Sequence, residues 1–175
     1  MSFIVSNNIK IKNEGLVQSS TFQYHIAGDI FEPDIKIENL YHMIKKSEKL
    51  PPLVGEFSIV FEDSEEIIVI NDELGTIKWF IFIKNKEVIV SNNLWKIAQN
   101  KDFSIDNVDK GAIYEYFTMY QSLDQRTIFT DVELIEGGTL VRISKKNMIV
   151  SKRKYMDIIY NNSDINNFTK EEIFE

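Results

Sequence analysis

Two apolar runs, Val54–Phe61 and Ile67–Asn71, are separated by five polar residues, Glu62-Asp63-Ser64-Glu65-Glu66, and this pattern constrains the chain more than any other. Short runs rich in β-branched and aromatic residues around an acidic link read as two strands of an antiparallel hairpin. The link reads as a solvated tip. Its carboxylates lack the ligand spacing of a calcium loop, so they are not assigned to a cation. Asp72-Glu73-Leu74-Gly75 reads as the next turn, followed by strands at Ile77–Ile83 and Glu87–Val90 around Lys84-Asn85-Lys86. The middle of the chain is thus expected to be an antiparallel meander.

Upstream, Phe3–Lys12 reads as a strand, a turn at Ser6-Asn7-Asn8 and a second strand, and Thr21–Ala27 as another strand broken by Gly28-Asp29. Ile37, Leu40, Tyr41 and Ile44 recur at helical spacing until Pro51-Pro52 forbids continuation. Downstream, Leu94, Trp95, Ile97 and Ala98 indicate a short helix. Asp109 is placed to cap a longer one, whose Ile113, Tyr116, Phe117 and Tyr120 share a face assigned to the core. Thr127–Ile135, the Glu136-Gly137-Gly138 turn, Thr139–Ile143 and Met148–Val150 add strands. Lys145-Lys146 and Lys152-Arg153-Lys154 read as the solvated face of the last hairpin. Strands in blocks separated by helices, without βαβ alternation, indicate an α+β fold.

The chemistry is bounded mainly by what the 175 residues lack. There is no cysteine, which excludes a thiol nucleophile, a zinc–thiolate site and a redox dithiol. A net charge of −7 opposes general nucleic-acid binding. No signal-peptide pattern is present and no apolar stretch approaches the length of a membrane-spanning helix, so a cytoplasmic location and no membrane association are expected. The two histidines, His25 and His42, have no metal-ligand spacing and are assigned ordinary packing or surface roles, while Asp102, Asp106 and Asp109 are assigned to caps and loops. Neither a phosphate-cradling glycine loop nor a G-x-S-x-G elbow occurs. One reactive candidate is Ser2, since removal of Met1 would leave a hydroxyl beside a free α-amine.

From Leu53 to about Tyr155, the order of segments resembles the second half of the class II glutamine amidotransferase domain of asparagine synthetases. Leu53–Phe61 is similar to the family's L-x-G-x-F-A-x-x-x-x-D strand, and Asn71–Phe80 to its R-D-x-x-G-x-x-P-L-Y-Y turn and strand, with Asn71 in place of Arg and Lys78 in place of Pro. Val90–Ile97 parallels F-A-S-E-x-K-A-L, with Asn93 where Glu is usual. Glu115-Tyr116-Phe117, Arg126–Phe129 and Leu134–Leu140 parallel E-Y-L, R-T-x-F and L-x-P-G-x-x-L. The first half departs from the pattern. Glutaminase members begin Met-Cys-Gly-Ile, whereas this chain begins Met1-Ser2-Phe3-Ile4, and neither an Arg nor an Asn-Gly precedes Gly55. Nucleophile, carboxylate clamp and oxyanion loop are all missing from the pattern.

The resemblance implies a four-layer αββα sandwich of the Ntn-hydrolase type, with mostly antiparallel sheets and a shortened N-terminal part. Residues 1–160 would form a degenerate amidotransferase-like domain, and residues 161–175 a linker and the start of a helix leading to a synthetase domain. This arrangement is similar to that of lasso-peptide macrolactam cyclases and β-lactam synthetases. The implied role is a non-catalytic scaffold for an ATP-dependent amide ligase, with a synthetase domain or separate synthetase subunit as partner and a peptide or small-molecule amine as a possible substrate. No cofactor is assigned to this chain; ATP and Mg would belong to the synthetase domain. A free-standing interaction module and a Ser2-dependent amidohydrolase are the alternatives.

Overall fold

The computed structural model describes residues 5–6, 17–18, 22–31, 36–46, 50–85, 87–120 and 123–156. Among these residues, ten strands form two sheets. The larger contains β2 (Val17–Gln18), β3 (Gln23–Ile30), β4 (Gly55–Glu62), β5 (Glu66–Asn71), β9 (Thr139–Ser144) and β10 (Val150–Lys154), in the order β10-β9-β5-β4-β3-β2 with every pair antiparallel. The smaller contains β1 (Val5–Ser6), β6 (Phe80–Lys84), β7 (Glu87–Ser91) and β8 (Val132–Leu134), in the order β1-β7-β6-β8. Its β1–β7 pair is parallel and the others are antiparallel.

Three apolar layers build a four-layer sandwich. Helix α1 (Ile37–Lys45) lays Leu40, Tyr41 and Ile44 on the outer face of the larger sheet, against Phe57, Ile59, Phe61, Ile68 and Ile70. Between the sheets, Val60, Val69 and Val141 meet Trp79, Ile81, Val88 and Val90. Helix α2 (Leu94–Asn100) covers the outer face of the smaller sheet, where Ile97 and Ala98 pack on Phe82, Ile89 and Val132. The α+β sandwich with mostly antiparallel sheets is thus the observed architecture. All six residues of β5 are buried, as expected of a strand sealed on both faces in mid-sheet.

Several local expectations are corrected. The strands of the middle segment do not form one meander: β4 and β5 lie in the larger sheet, and the chain crosses at Asp72–Trp79 to pair β6 with β7 and β8 in the smaller. Gly28-Asp29 does not break a strand, because β3 continues through it to Ile30 in register with β4. Gly28 has φ +78° and lies against the Glu56 carbonyl oxygen, where a Cβ would collide, so its glycine serves close backbone approach. Thr127–Ile135 yields only the three-residue β8, preceded by turns. The second strand expected at 9–12 and the linker and helix start expected at 161–175 lie outside the described residues.

Candidate functional site

Three of the motif segments, Leu53–Phe61, Asn71–Phe80 and Leu134–Leu140, meet at one corner of the sandwich. Asp72 follows β5; its backbone N–H donates to the Phe57 carbonyl (3.0 Å), and its carboxylate accepts from the Leu74 and Thr76 amides and the Thr76 hydroxyl. Its carbonyl accepts from the amides of Gly75 and Gly138. The adjoining Asn71, fully buried, accepts from the Ser58 hydroxyl and donates to the Ile135 carbonyl, while its own carbonyl accepts from the Tyr155 hydroxyl at 2.6 Å. Burial and the nearby Asp72 and Glu73 carboxylates raise the Tyr155 pKa, keeping it a donor. Gly137 has to be glycine because a Cβ there would meet the backbone of Glu73–Gly75. Asn71, Ser58 and Tyr155 join strands here and Asp72 shapes the crossing turn, so these bonds hold the fold at this corner.

The inter-sheet layer is apolar among the described residues apart from a few buried polar groups. His25 projects from β3 and is buried, with its Nε2 unpartnered and its pKa lowered by burial. The indole N–H of fully buried Trp79 is likewise unpartnered. Ser58 is committed to Asn71. Ser2 lies outside the described residues. The other histidine, His42, is exposed on α1 and meets Phe22 and Tyr41 edge-on.

The acidic hairpin tip overturns its reading as a solvated turn. Asp63 accepts from the Tyr41 hydroxyl (2.6 Å) and from Lys45 (2.9 Å) through one oxygen, and from the Glu65 and Glu66 amides through the other. Glu66 takes a two-pronged bond from Arg142 (2.8 and 2.6 Å) and a third from Lys45 (2.8 Å). Burial pushes the Asp63 carboxyl up, but the Tyr41 hydroxyl, backbone amides and Lys45 outweigh it and bring the pKa to about 2. The Glu66 carboxyl is lowered chiefly by Arg142. Burial and the Asp63 carboxylate raise Tyr41 to about 12. Lys45 and Arg142 thus clamp α1 and β9 onto the tip. No local pattern marks this cluster, because its cations come from distant segments.

Helix α3 (Lys110–Met119) carries the second correction. Asp109 caps it as expected, accepting from the Gly111 and Ala112 amides. Arg126 grips Asp109 (2.8 Å) and Glu115 (2.5 Å), pulling the 123–126 turn against the helix. Yet only Ala112 of this helix is buried. Tyr114, Tyr116 and Phe117 are exposed, Phe117 at 78%, and Tyr120, in the left-handed conformation at the C-cap, reaches 88%. The aromatic stripe assigned to the core faces outward. Beside it lies a cleft of about 560 Å³ lined by Asp109, Asp124, Asp131, Glu133, Glu136 and Arg126. Three of these acids pair with lysines at its rim, Lys84 with Asp131, Lys152 with Glu133 and Lys154 with Glu136.

Comparison with known proteins places the chain. Residues 24–156 match the glutamine amidotransferase domain family, and the chain belongs to it. No curated protein matches. Two solved structures share the likeness: glutamine phosphoribosylpyrophosphate amidotransferase from B. subtilis complexed with ADP and GMP (13% identity, TM-score 0.43), and a structure described as the allosteric regulatory enzyme of purine biosynthesis (13% identity, TM-score 0.45). Each match covers 82% of this chain and 31% of the other, so the chain spans less than a third of the length of these proteins.

Proposed function

We propose that this member of the glutamine amidotransferase domain family is a non-hydrolysing scaffold domain for an asparagine-synthetase-like, ATP-dependent amide ligase. The observation that carries the reading is the absence of cysteine from the whole sequence. In this chemistry the thiolate is the nucleophile, and a serine hydroxyl at Ser2 is a far weaker one at neutral pH. The lack of any Arg or Asn-Gly before Gly55 argues the same way, since those groups would hold the substrate carboxylate and the oxyanion. The uncovered aromatic face of α3 supports the second half of the reading, docking to a synthetase domain or subunit, where ATP and Mg would bind and the amide would form.

Two measurements test it. The purified chain incubated with glutamine should release no ammonia above a no-protein control; release that disappears in Ser2→Ala would replace the scaffold with an N-terminal serine amidohydrolase. The chain should also form a complex with a synthetase-like polypeptide carrying a Ser-Gly-Gly pyrophosphate loop, and Phe117→Ala with Tyr120→Ser should weaken it. The α3 face favours a second reading equally, a free-standing interaction module. A stable complex through α3 with a protein unrelated to amide ligases would select that reading.

A further inference from the structure

A small pocket opens on the outer face of the larger sheet, away from the inter-sheet layer. Its volume is about 270 Å³, and it is lined by Ile44 of α1, Leu140 and Arg142 of β9, and Ser151 and Arg153 of β10. The register explains the grouping. Leu140 stands opposite Arg153 and Arg142 opposite Ser151, so all four project to the face that α1 covers. In a chain of net charge −7, this lining holds two guanidiniums, one hydroxyl and no carboxylate.

Arg142 is only half used. It gives Nε–H and one Nη2–H to Glu66. A guanidinium has five N–H donors, so both on Nη1 and the second on Nη2 remain. Glu66 also holds Arg142 in place from behind, so the free edge is pre-oriented. Arg153 is exposed and makes no ion pair with another described residue. Two guanidiniums and a hydroxyl therefore line one opening, closed underneath by Ile44 and Leu140, which are themselves almost wholly buried.

We propose that this pocket binds a carboxylate carried on a short apolar stem, a ligand the size of one hydrophobic amino acid or a peptide C-terminus. The planar fork of each arginine matches a carboxylate, and the methylene stems of Arg142 and Arg153 supply the apolar contact for the ligand's stem. The volume is below that of pockets for drug-sized ligands and suits a single residue. The assignment stands apart from the scaffold reading, because it uses neither α3 nor the inter-sheet layer.

Titration of the full chain at low ionic strength, followed by calorimetry, tests it with three probes: N-acetyl-leucine, leucinamide and inorganic phosphate. N-acetyl-leucine should bind saturably, and leucinamide, which lacks the anion, should not. Arg153→Ala should weaken N-acetyl-leucine by at least about tenfold, the loss expected of a charge-assisted contact. Arg153 is exposed, so this variant should melt like the parent. Lys146→Ala, a surface cation outside the lining, should bind normally. Phosphate binding as tightly as N-acetyl-leucine would overturn the proposal, because the stem would then count for nothing. So would the absence of saturable binding by the folded parent, or undiminished affinity in Arg153→Ala.

Discussion

Replacing Asp63 with asparagine removes one charge from the hairpin tip at almost constant shape, and the geometry fixes what is lost. One carboxylate oxygen serves Tyr41 and Lys45 and the other serves the Glu65 and Glu66 amides. An asparagine can turn its carbonyl to one pair only, leaving its NH₂ against two donors. The native pKa of about 2 against 3.8 for an ordinary aspartate sets the scale. A gap of about 2 units corresponds to roughly 2–3 kcal/mol, which solvent screening at a hairpin tip reduces to about 1–2 kcal/mol. Mispaired donors add about 1 kcal/mol, so Asp63→Asn should cost about 2–3 kcal/mol at pH 7.

The sign of the pH dependence follows from the lowered pKa. Stability from ionised Asp63 is fully present above the unfolded value near 3.8 and is lost as pH falls through about 2. The gap between parent and variant should therefore narrow on acidification, with about half of the ionic part gone by pH 3. Glu66 also titrates, but in both proteins, so the difference between the two curves is the quantity to read. Urea unfolding at pH 7, 4 and 3, followed by the fluorescence of fully buried Trp79, measures it. A gap equal at pH 7 and pH 3, or below about 0.5 kcal/mol at pH 7, refutes the assignment of Asp63 as an ionised clamp.

Gly28→Ala should destabilise the fold by about 3 kcal/mol or prevent soluble expression, since alanine meets both the positive φ and the Glu56 carbonyl; a denaturation midpoint within error of the parent counts against this. Phe117→Ala and Tyr120→Ser, on the open face of α3, should change stability by less than about 0.5 kcal/mol while weakening partner binding, which separates a docking role from a packing one. Ser2→Ala should leave stability and the absence of ammonia release unchanged, as read by thermal melting and a coupled glutamate assay. Tyr41→Phe combined with Asp63→Asn in a double-mutant cycle should give a coupling of about 1 kcal/mol, and independence of the two would contradict their 2.6 Å hydrogen bond.

The local elements were legible in the sequence and their long-range assignment was not. Strands β4 and β5 follow from two apolar runs around an acidic link, and α1 from a helical stripe ended by a Pro-Pro pair. Which sheet each strand joins depends on partners far along the chain: β5 bonds β9, with Ile70 opposite Leu140. Alternation within β6 carries no trace of the crossing at Asp72–Trp79. The acidic tip read as solvated because Glu62–Glu66 is polar throughout, whereas its burial is decided by Arg142, 76 residues beyond Glu66. The stripe on α3 misled for another reason. A periodic apolar face does not by itself say that the rest of the fold packs on it, and here Tyr116, Phe117 and Tyr120 are left exposed.

The same distinction between holding the fold and doing chemistry explains how a chain can keep the family pattern without the family's nucleophile. Three of the segments that carry the resemblance, Leu53–Phe61, Asn71–Phe80 and Leu134–Leu140, meet at the Asn71–Asp72 corner, where Ser58, Asn71, Asp72 and Tyr155 are used in structural bonds. Asn71 ties β4 to the residue after β8 through Ser58 and Ile135; Asp72 shapes the crossing turn through Leu74 and Thr76; Gly138 and Tyr155 lock the entry and exit of the last hairpin onto that turn. Loss of any one would leave a buried donor or acceptor without a partner, at about 1–3 kcal/mol each. These residues join the two sheets at one corner, beside the apolar layer that packs them together. A match spanning residues 24–156 therefore reports the sandwich and is compatible with a chain that has no thiol. Activity in such a domain would have to be read from its N-terminal residue and its open surfaces, which is why Ser2, the face of α3 and the Arg142–Arg153 pocket are the positions where experiment decides function.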